Sequence, residues 1–259
     1  SGGSAKSRYL VSAGYQDNPG IVKNTGLKKY NLRANVESDV TKWLTVGMNT
    51  YASQQDNDMS YFGTANTYLM ATTPGCYPKY NGVYGGSAAD EENAQDNNLA
   101  WYLERGKGFN RVSRFNTTLF SRVTFMKGLT WEFNFNYARR FDERRSWDDG
   151  TQYKMNFRTG NITSTQTSLA NMSVGTYNYG NRSYTIQNLL RYNTTIGDHD
   201  FGALAGYEEY KYRTDDVSTS KKGLIDYNLT VPSAASDMVS ITGGASDTAT
   251  RSFFGRLNY

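Results

Sequence analysis

Residues 129–138 read Leu-Thr-Trp-Glu-Phe-Asn-Phe-Asn-Tyr-Ala, a two-residue alternation that fits a pleated strand. Leu129, Trp131, Phe133, Phe135 and Tyr137 then point one way, while Thr130, Glu132, Asn134 and Asn136 point the other. In a soluble sandwich the apolar face meets a second sheet. Here that face carries large rings and the polar side is rich in Asn, Arg and Glu. The combination suits a strand with lipid outside and a wet lumen inside.

Copies of the pattern run along the chain. Tyr9, Val11, Ala13 and Tyr15 share a face near 7–15. Near 28–37, Tyr30, Leu32, Ala34 and Val36 oppose Asn31, Arg33, Asn35 and Glu37. Leu44, Val46 and Met48 mark a third strand. Phe115, Leu119, Val123 and Phe125, set against Arg114, Asn116, Thr118 and Arg122, mark a fourth over 111–125. The stretch at 129–138 is the fifth. Tyr184, Ile186, Leu190, Tyr192 and Ile196 oppose Gln187, Arg191, Asn193 and Thr195 in the sixth, over 182–196. Phe201, Ala203, Ala205 and Tyr207 place a seventh over 201–213, and Phe253, Leu257 and Tyr259 an eighth over 248–259.

The connections carry further information. Short turns are expected after strands two, four and six, at 38–42, 126–128 and 197–200. The others are longer: 16–26, 54–110, 142–181 with a small hairpin around Arg158-Thr159-Gly160-Asn161, and 214–247. Up-and-down topology gathers the short turns at one end and the long loops at the other, as outer-membrane barrels do. A soluble sandwich has no reason to sort its loops this way. The expected fold is therefore all-β: an antiparallel up-and-down transmembrane β-barrel segment with long extracellular loops and short periplasmic turns.

Composition is compatible. Mean hydropathy is -0.69, and no run approaches the ~18–20 apolar residues of a spanning helix; a barrel strand needs only alternate apolar residues. The 21 Tyr, 12 Phe and 4 Trp fit interfacial girdles, although an all-β extracellular or lectin-like domain is the rival on composition alone. Lys and Arg are dispersed, so no nucleic-acid-binding face is expected despite a net charge of +4. The sole cysteine, Cys76, excludes an intrachain disulfide. Ser1-Gly2-Gly3-Ser4 has no leader character, and the chain is expected to be mature or to begin partway through a longer protein.

Catalytic constellations are not evident, and no enzymatic activity is expected. His199, the only histidine, sits in an expected turn between Asp198 and Asp200, where a solvated polar residue is the plain reading. One His and one Cys assemble neither a zinc site nor a Cys–His dyad. No cofactor is expected: Asp90-Glu91-Glu92, Asp148-Asp149 and Asp215-Asp216 offer oxygen ligands for loop calcium, without a twelve-residue calcium-loop pattern. The loops are instead rich in rings: Tyr61, Phe62, Tyr68, Tyr77, Tyr80, Tyr84, Trp101 and Tyr102, then Trp147 and Tyr153. Exposed rings stack on sugars or peptide side chains; the alternative is that they pack the loops together. Trp101, Tyr102, Tyr80, Tyr84 and Trp147 are the candidate substrate contacts.

A family resemblance enters at 9–47. Gly14-Tyr15-Gln16-Asp17, Gly20-Ile21-Val22-Lys23-Asn24-Thr25-Gly26 and Tyr30-Asn31-Leu32-Arg33-Ala34-Asn35 resemble a signature of the SusC/RagA-type TonB-dependent transporters. The preceding Ser1-Gly2-Gly3-Ser4 matches too. Asn188-Leu189-Leu190-Arg191-Tyr192-Asn193, Leu204-Ala205-Gly206-Tyr207-Glu208 and Phe253-Phe254-Gly255-Arg256-Leu257-Asn258-Tyr259 are similar to later barrel strands of that family. The resemblance implies that residues 1–259 are a partial barrel, about eight strands of about 22, without plug, TonB box or signal peptide. It further implies an outer-membrane importer of oligosaccharides or peptides, worked by TonB and covered by a SusD-like surface lipoprotein. Arg33, Glu37, Arg114, Arg122, Glu132 and Arg191 would then line the lumen or meet the plug. The competing expectation is a complete small barrel, an adhesin or structural protein without transport.

Overall fold

A computed structural model describes residues 1–59, 77–87 and 98–259. Tyr61, Phe62, Tyr68, Cys76, Asp90, Glu91 and Glu92 lie outside the described residues. In chain order the elements are β1 (Gly2–Gly3), β2 (Ser7–Pro19), β3 (Gly26–Asp39), β4 (Leu44–Asp58), β5 (Lys79–Tyr80), β6 (Val83–Gly85), α1 (Leu99–Arg105), β7 (Gly106–Met126), β8 (Leu129–Asp148), β9 (Lys154–Met155), β10 (Ile162–Ser164), β11 (Ser173–Ile196), β12 (His199–Leu224) and β13 (Ala235–Asn258). Nine strands form one sheet in the order β1-β2-β3-β4-β7-β8-β11-β12-β13, every long neighbour antiparallel. Consecutive long strands are always adjacent, which is the expected up-and-down topology.

The strands outrun their amphipathic cores. β8 runs 20 residues, β11 24, β12 26 and β13 24. The connection expected over 214–247 is thereby corrected to 225–234, because β12 and β13 continue as a ladder from Lys211↔Ala249 up to Leu224↔Ala235. Trp147, expected in a loop, is likewise a strand residue, paired with Lys107 and Val174. Above the apolar zone neither face repeats with period two, so pattern is lost while backbone pairing persists. The hairpin at 154–164 is present: β9 pairs β10, Asn156 Oδ1 accepts from the amides of Arg158 and Thr159, and Gly160 turns the chain at φ 75°.

Register places the faces as the alternation requires. Tyr137 lies beside Thr117 and Tyr184, and Phe135 beside Leu119 and Ile186, all on the apolar face. Among the rings on the polar face, two each cover a glycine on the neighbouring strand. A Cβ at Gly47 would come within 2.2 Å of Phe120, and one at Gly206 within 2.3 Å of Phe254. Both cross-strand pairs are aromatic residues laid over glycine, an arrangement that pins register.

The aromatic boundary of the apolar face steps across the ladder. Tyr15 and Tyr30 pair at 5.1 Å on the row of Gln54, Ser113 and Phe141. Tyr207 and Phe253 pair at 5.1 Å on the row of Asn188 and Phe133. Phe115 and Tyr137, 6.4 Å apart, fall between. From Phe141 to Phe133 is eight residues along β8 (141 − 133), ~26 Å at ~3.3 Å per residue, over six inter-strand steps of ~4.8 Å. A level boundary therefore demands strands tilted by roughly 40°, inside the ~35–45° of outer-membrane barrels.

The lower edge descends in parallel. Tyr9 stands six residues before Tyr15 and Phe201 six before Tyr207, so the band keeps one height. The sheet does not close on itself. Among the described residues β13 pairs only with β12, and the outer edge of β2 is met only by the two-residue β1. This runs against a complete eight-stranded barrel, which requires β13 to pair with β2.

Candidate functional site

The candidate site has two parts, the polar face of the sheet and the layer of loops at its long-loop end. On the polar face Glu132 lies between Arg122, at 3.8 Å, and Arg191, at 3.7 Å. Asn134 donates to Glu132 at 2.9 Å and to Gln187 at 3.3 Å, and Gln187 donates to Glu208 at 3.0 Å. Arg8 donates to Glu37 at 2.8 Å, and the Arg33 guanidinium stands over Tyr51 at 5.9 Å. Arg114 lies beside Ser53 and Arg140 in register. All six charged residues expected on this face share it. Together they make a polar wall of mixed charge, with polar side chains linking neighbouring strands.

The loop layer is knitted rather than loose. Asn98 caps α1 by accepting from the Trp101 amide at 3.1 Å, while its Nδ2 donates to the carbonyls of Pro78 and Gly85 at 2.9 and 2.7 Å. This buried side chain thus joins three loop segments. β6 pairs with β9 in parallel, so the connection 59–105 docks onto the connection 149–172 through a four-stranded sheet, β10-β9-β6-β5. The first connection joins as well. Asn24, in the left-handed region at φ 60°, donates from Nδ2 to the Leu103 carbonyl at 2.8 Å, and Lys23 pairs with Glu104. The Asn24-Thr25-Gly26 stretch of the resemblance motif therefore folds one loop onto the helix of another.

Glu104 is the hub. Tyr84 donates to it at 2.5 Å and Lys79 at 2.9 Å, beside the Lys23 contact. Burial by itself would lift the Glu104 carboxyl. The hydrogen bonds from Lys23, Tyr84 and Lys79 outweigh it and hold the pKa at about 2. The same contacts, Tyr84 first and Glu104 next, push Lys79 up to about 12. Burial foremost, then the bond to Glu104, pushes Tyr84 upward.

The expected substrate-facing rings divide. Trp101 is 5% exposed, held edge-on to Tyr102 at 4.8 Å and flanked by Arg105 at 4.5 Å and Lys154 at 4.6 Å. Tyr84 is 3% exposed. The expectation that these two present open faces is corrected: they pack loop against loop, Trp101 between Arg105 of α1 and Lys154 of β9, Tyr84 against Lys79 of β5 and Glu104 of α1. Tyr102 and Trp147 are half-buried. Tyr80 is exposed, and with Tyr77 it sets a pair of rings edge-on to Phe157, at 5.8 and 6.1 Å. Phe157 was not among the expected contacts; its place two residues after Lys154-Met155 and three before Gly160, on a hairpin tip, was the signal.

At the short-turn end His199 opens β12 and is not simply solvated. It stacks on Tyr259 at 5.6 Å and shares a 2.7 Å hydrogen bond with that hydroxyl. Of the carboxylates weighed as calcium ligands, Asp148 pairs with Arg105 at 3.6 Å and Asp215 with Arg213 at 2.9 Å.

No protein-family model matches the chain. In sequence it is 24% identical to TonB-dependent receptor P3 and 26% identical to TonB-dependent receptor P26, both of Formosa agariphila. Each match takes in 100% of this chain but 26% and 25% of the relative, so the chain spans about a quarter of the curated relatives it matches. In fold it superposes on the RagAB peptide transporter with a TM-score of 0.80 at 23% identity, over 100% of this chain and 29% of that one. The 'open-open' state of the RagAB peptide importer gives a TM-score of 0.77 at 22% identity, over 99% and 28%. The resemblance to the barrel region of SusC/RagA-type TonB-dependent transporters, expected from the motif at 14–35, therefore holds in sequence and in fold.

Proposed function

We propose that residues 1–259 form part of the barrel wall and several outer loops of a TonB-dependent importer in the outer membrane of a Gram-negative bacterium. The observation that carries this reading is the tilted, constant-height aromatic band opposite a charged face. Such a sheet is wetted on one side and greasy on the other, and its long unpaired edges are untenable in lipid. Further strands must satisfy them, which fits a barrel of about 22 strands. The polar face, with Arg33, Glu37, Arg114, Arg122, Glu132 and Arg191, would line the lumen or meet a plug. The cargo is an oligosaccharide or a peptide, for which the exposed Tyr77 and Tyr80 and the half-buried Phe157 offer stacking surfaces at the outer rim. A SusD-like lipoprotein would cover that rim, and TonB would act through a segment outside these residues.

The test is uptake by the native host. Deletion of the gene that encodes this chain should abolish import of fluorescent oligosaccharides or peptides to the same degree as disabling TonB. A surface lipoprotein should co-purify with the detergent-extracted receptor. Import unchanged by either lesion would refute the reading.

A further inference from the structure

Three arginines stand side by side on the outward face. Arg139 of β8 is in register with Arg182 of β11, and Arg182 with Arg213 of β12. One pair lower, Tyr137 and Tyr184 are followed by Lys211 on the same row. These are the first outward cations above the aromatic boundary on their strands. Directly opposed like charges destabilise an antiparallel ladder, so the row requires a counter-charge.

The protein supplies only part of it. Asp215 and Asp247 both engage Arg213, at 2.9 and 2.8 Å. Among the described residues Arg139, Arg182 and Lys211 make no hydrogen bond or ion pair and all three are exposed; Asp215 lies near Arg182 and Glu209 near Lys211, but those carboxylates are engaged by Arg213 and Arg251. Two other outward cations are matched: Arg111 holds Asp56 at 2.8 Å, and Arg251 holds Glu209 at 3.2 Å. Arg182 and Lys211 also border a depression of about 220 Å³, lined with them by Tyr137, Ser183, Tyr184, Arg213 and Asp247, and Arg139 stands beside it in register with Arg182. Its lining combines two tyrosine rings with three cations.

We propose that Arg139, Arg182 and Lys211 bind the phosphate of an anionic lipid in the outer leaflet, whose apolar part lies against Tyr137 and Tyr184 below. Guanidinium groups take phosphate oxygens in bidentate fashion, and the ammonium adds a point charge. The position argues for a lipid rather than a free anion, since Tyr137 and Tyr184, at the upper boundary of the apolar band, line the same depression. This inference rests on the reading of the chain as outer-membrane barrel wall with its long loops outward.

The test uses the full-length receptor extracted from outer membranes, with bound lipid counted by native mass spectrometry. The probes are bisphosphorylated lipid A, dephosphorylated lipid A and inorganic phosphate. Wild type should retain the bisphosphorylated lipid and not the dephosphorylated one. Arg139→Gln, Arg182→Gln and Lys211→Gln should each weaken retention about fivefold, while Arg111→Gln leaves it unchanged. Equal retention of both lipids, or retention unaltered in the triple variant, overturns the site. Binding of inorganic phosphate without preference for the lipid overturns the lipid assignment. A receptor that fails to fractionate with the outer membrane sinks the barrel reading itself; normal fractionation with unaltered lipid retention sinks this site alone.

Discussion

The lower and upper halves of the long strands share one hydrogen-bonded ladder and almost nothing else. From Leu129 to Tyr137 on β8, rings and polar groups alternate, and β11 repeats the arrangement from Tyr192 to Tyr184. Above them, β12 and β13 run on through Thr214↔Ser246, Ser218↔Thr242 and Ser220↔Ser240, where the sequence carries no period. The lower half must solve two solvents at once, one on each face. The upper half meets one, and there the backbone alone holds the strands together. Binary pattern therefore reports the solvent boundary rather than the strand itself.

The sharpest way to break this contrast is to put the same charge in both halves. Phe133→Arg should cost about 2–4 kcal/mol, the penalty for a cation on the lipid face near the midplane. Val217→Arg, on the same face in the upper half, should stay within about 0.5 kcal/mol. Asn134→Arg, on the polar face, should be tolerated. Denaturant titration of the full-length receptor folding into lipid vesicles measures all three. Equal losses at Phe133 and Val217 would erase the boundary at Tyr137.

A second contrast uses glycine. Gly206→Val drives a side chain into the Phe254 ring, since even a Cβ would stand 2.3 Å from it; overpacking of this kind costs about 1–3 kcal/mol. At Gly180, on the upper half of β11, a Cβ finds its first neighbours at 3.9 Å. Gly180→Val should be neutral or slightly stabilising, because a β-branched residue suits a strand better than glycine does. The same vesicle titration reads both variants.

The loop layer offers a comparison by pH. The Glu104 carboxyl sits at about 2 against an ordinary 4.5. Its contribution is therefore complete above about pH 4.5 and is lost as pH falls toward about 2. Amides at 20–25 and 99–105 should lose hydrogen-exchange protection over that window, while those of β8 keep theirs. In Glu104→Gln the early loss should be present already at neutral pH, worth about 1–3 kcal/mol locally. Protection that falls equally in β8 would mean the layer does not open on its own.

These contrasts also explain what could be read in advance. The facing of Tyr9, Tyr30, Leu119, Trp131 and Tyr184 was legible because alternate burial in two solvents writes a period of two. The ends of β12 and β13 were not, since Thr, Ser, Gly and Asp at 214–220 and 240–247 look like a loop unless the partner ladder is known. The six polar-face charges followed from the same period. The burial of Trp101 and Tyr84 did not, because it depends on the Asn98–Glu104 segment meeting Tyr84 and Lys154 from other parts of the chain. One local signal was available: Asn98 before Leu-Ala-Trp-Tyr-Leu is an N-cap ahead of a short helix.

The smallest expected effect lies at Glu132, and it separates the two roles of the polar face. Its distances to Arg122 and Arg191, 3.8 and 3.7 Å, are ion-pair distances but too long for hydrogen bonds. Both arginine side chains are nearly half exposed, at 46% and 49%, so water screens the attraction and the repulsion that its loss would leave. Glu132→Gln should therefore change stability by no more than about 1 kcal/mol. On a wall facing an aqueous bore the same change removes one of few negative charges among arginines, and its consequence belongs to what passes along the wall. Uptake of acidic cargo should rise relative to basic cargo in the variant, at unchanged assembly. A large loss of assembly instead would make Glu132 a structural clamp, and this stretch of the polar face a packed interface rather than a wet one.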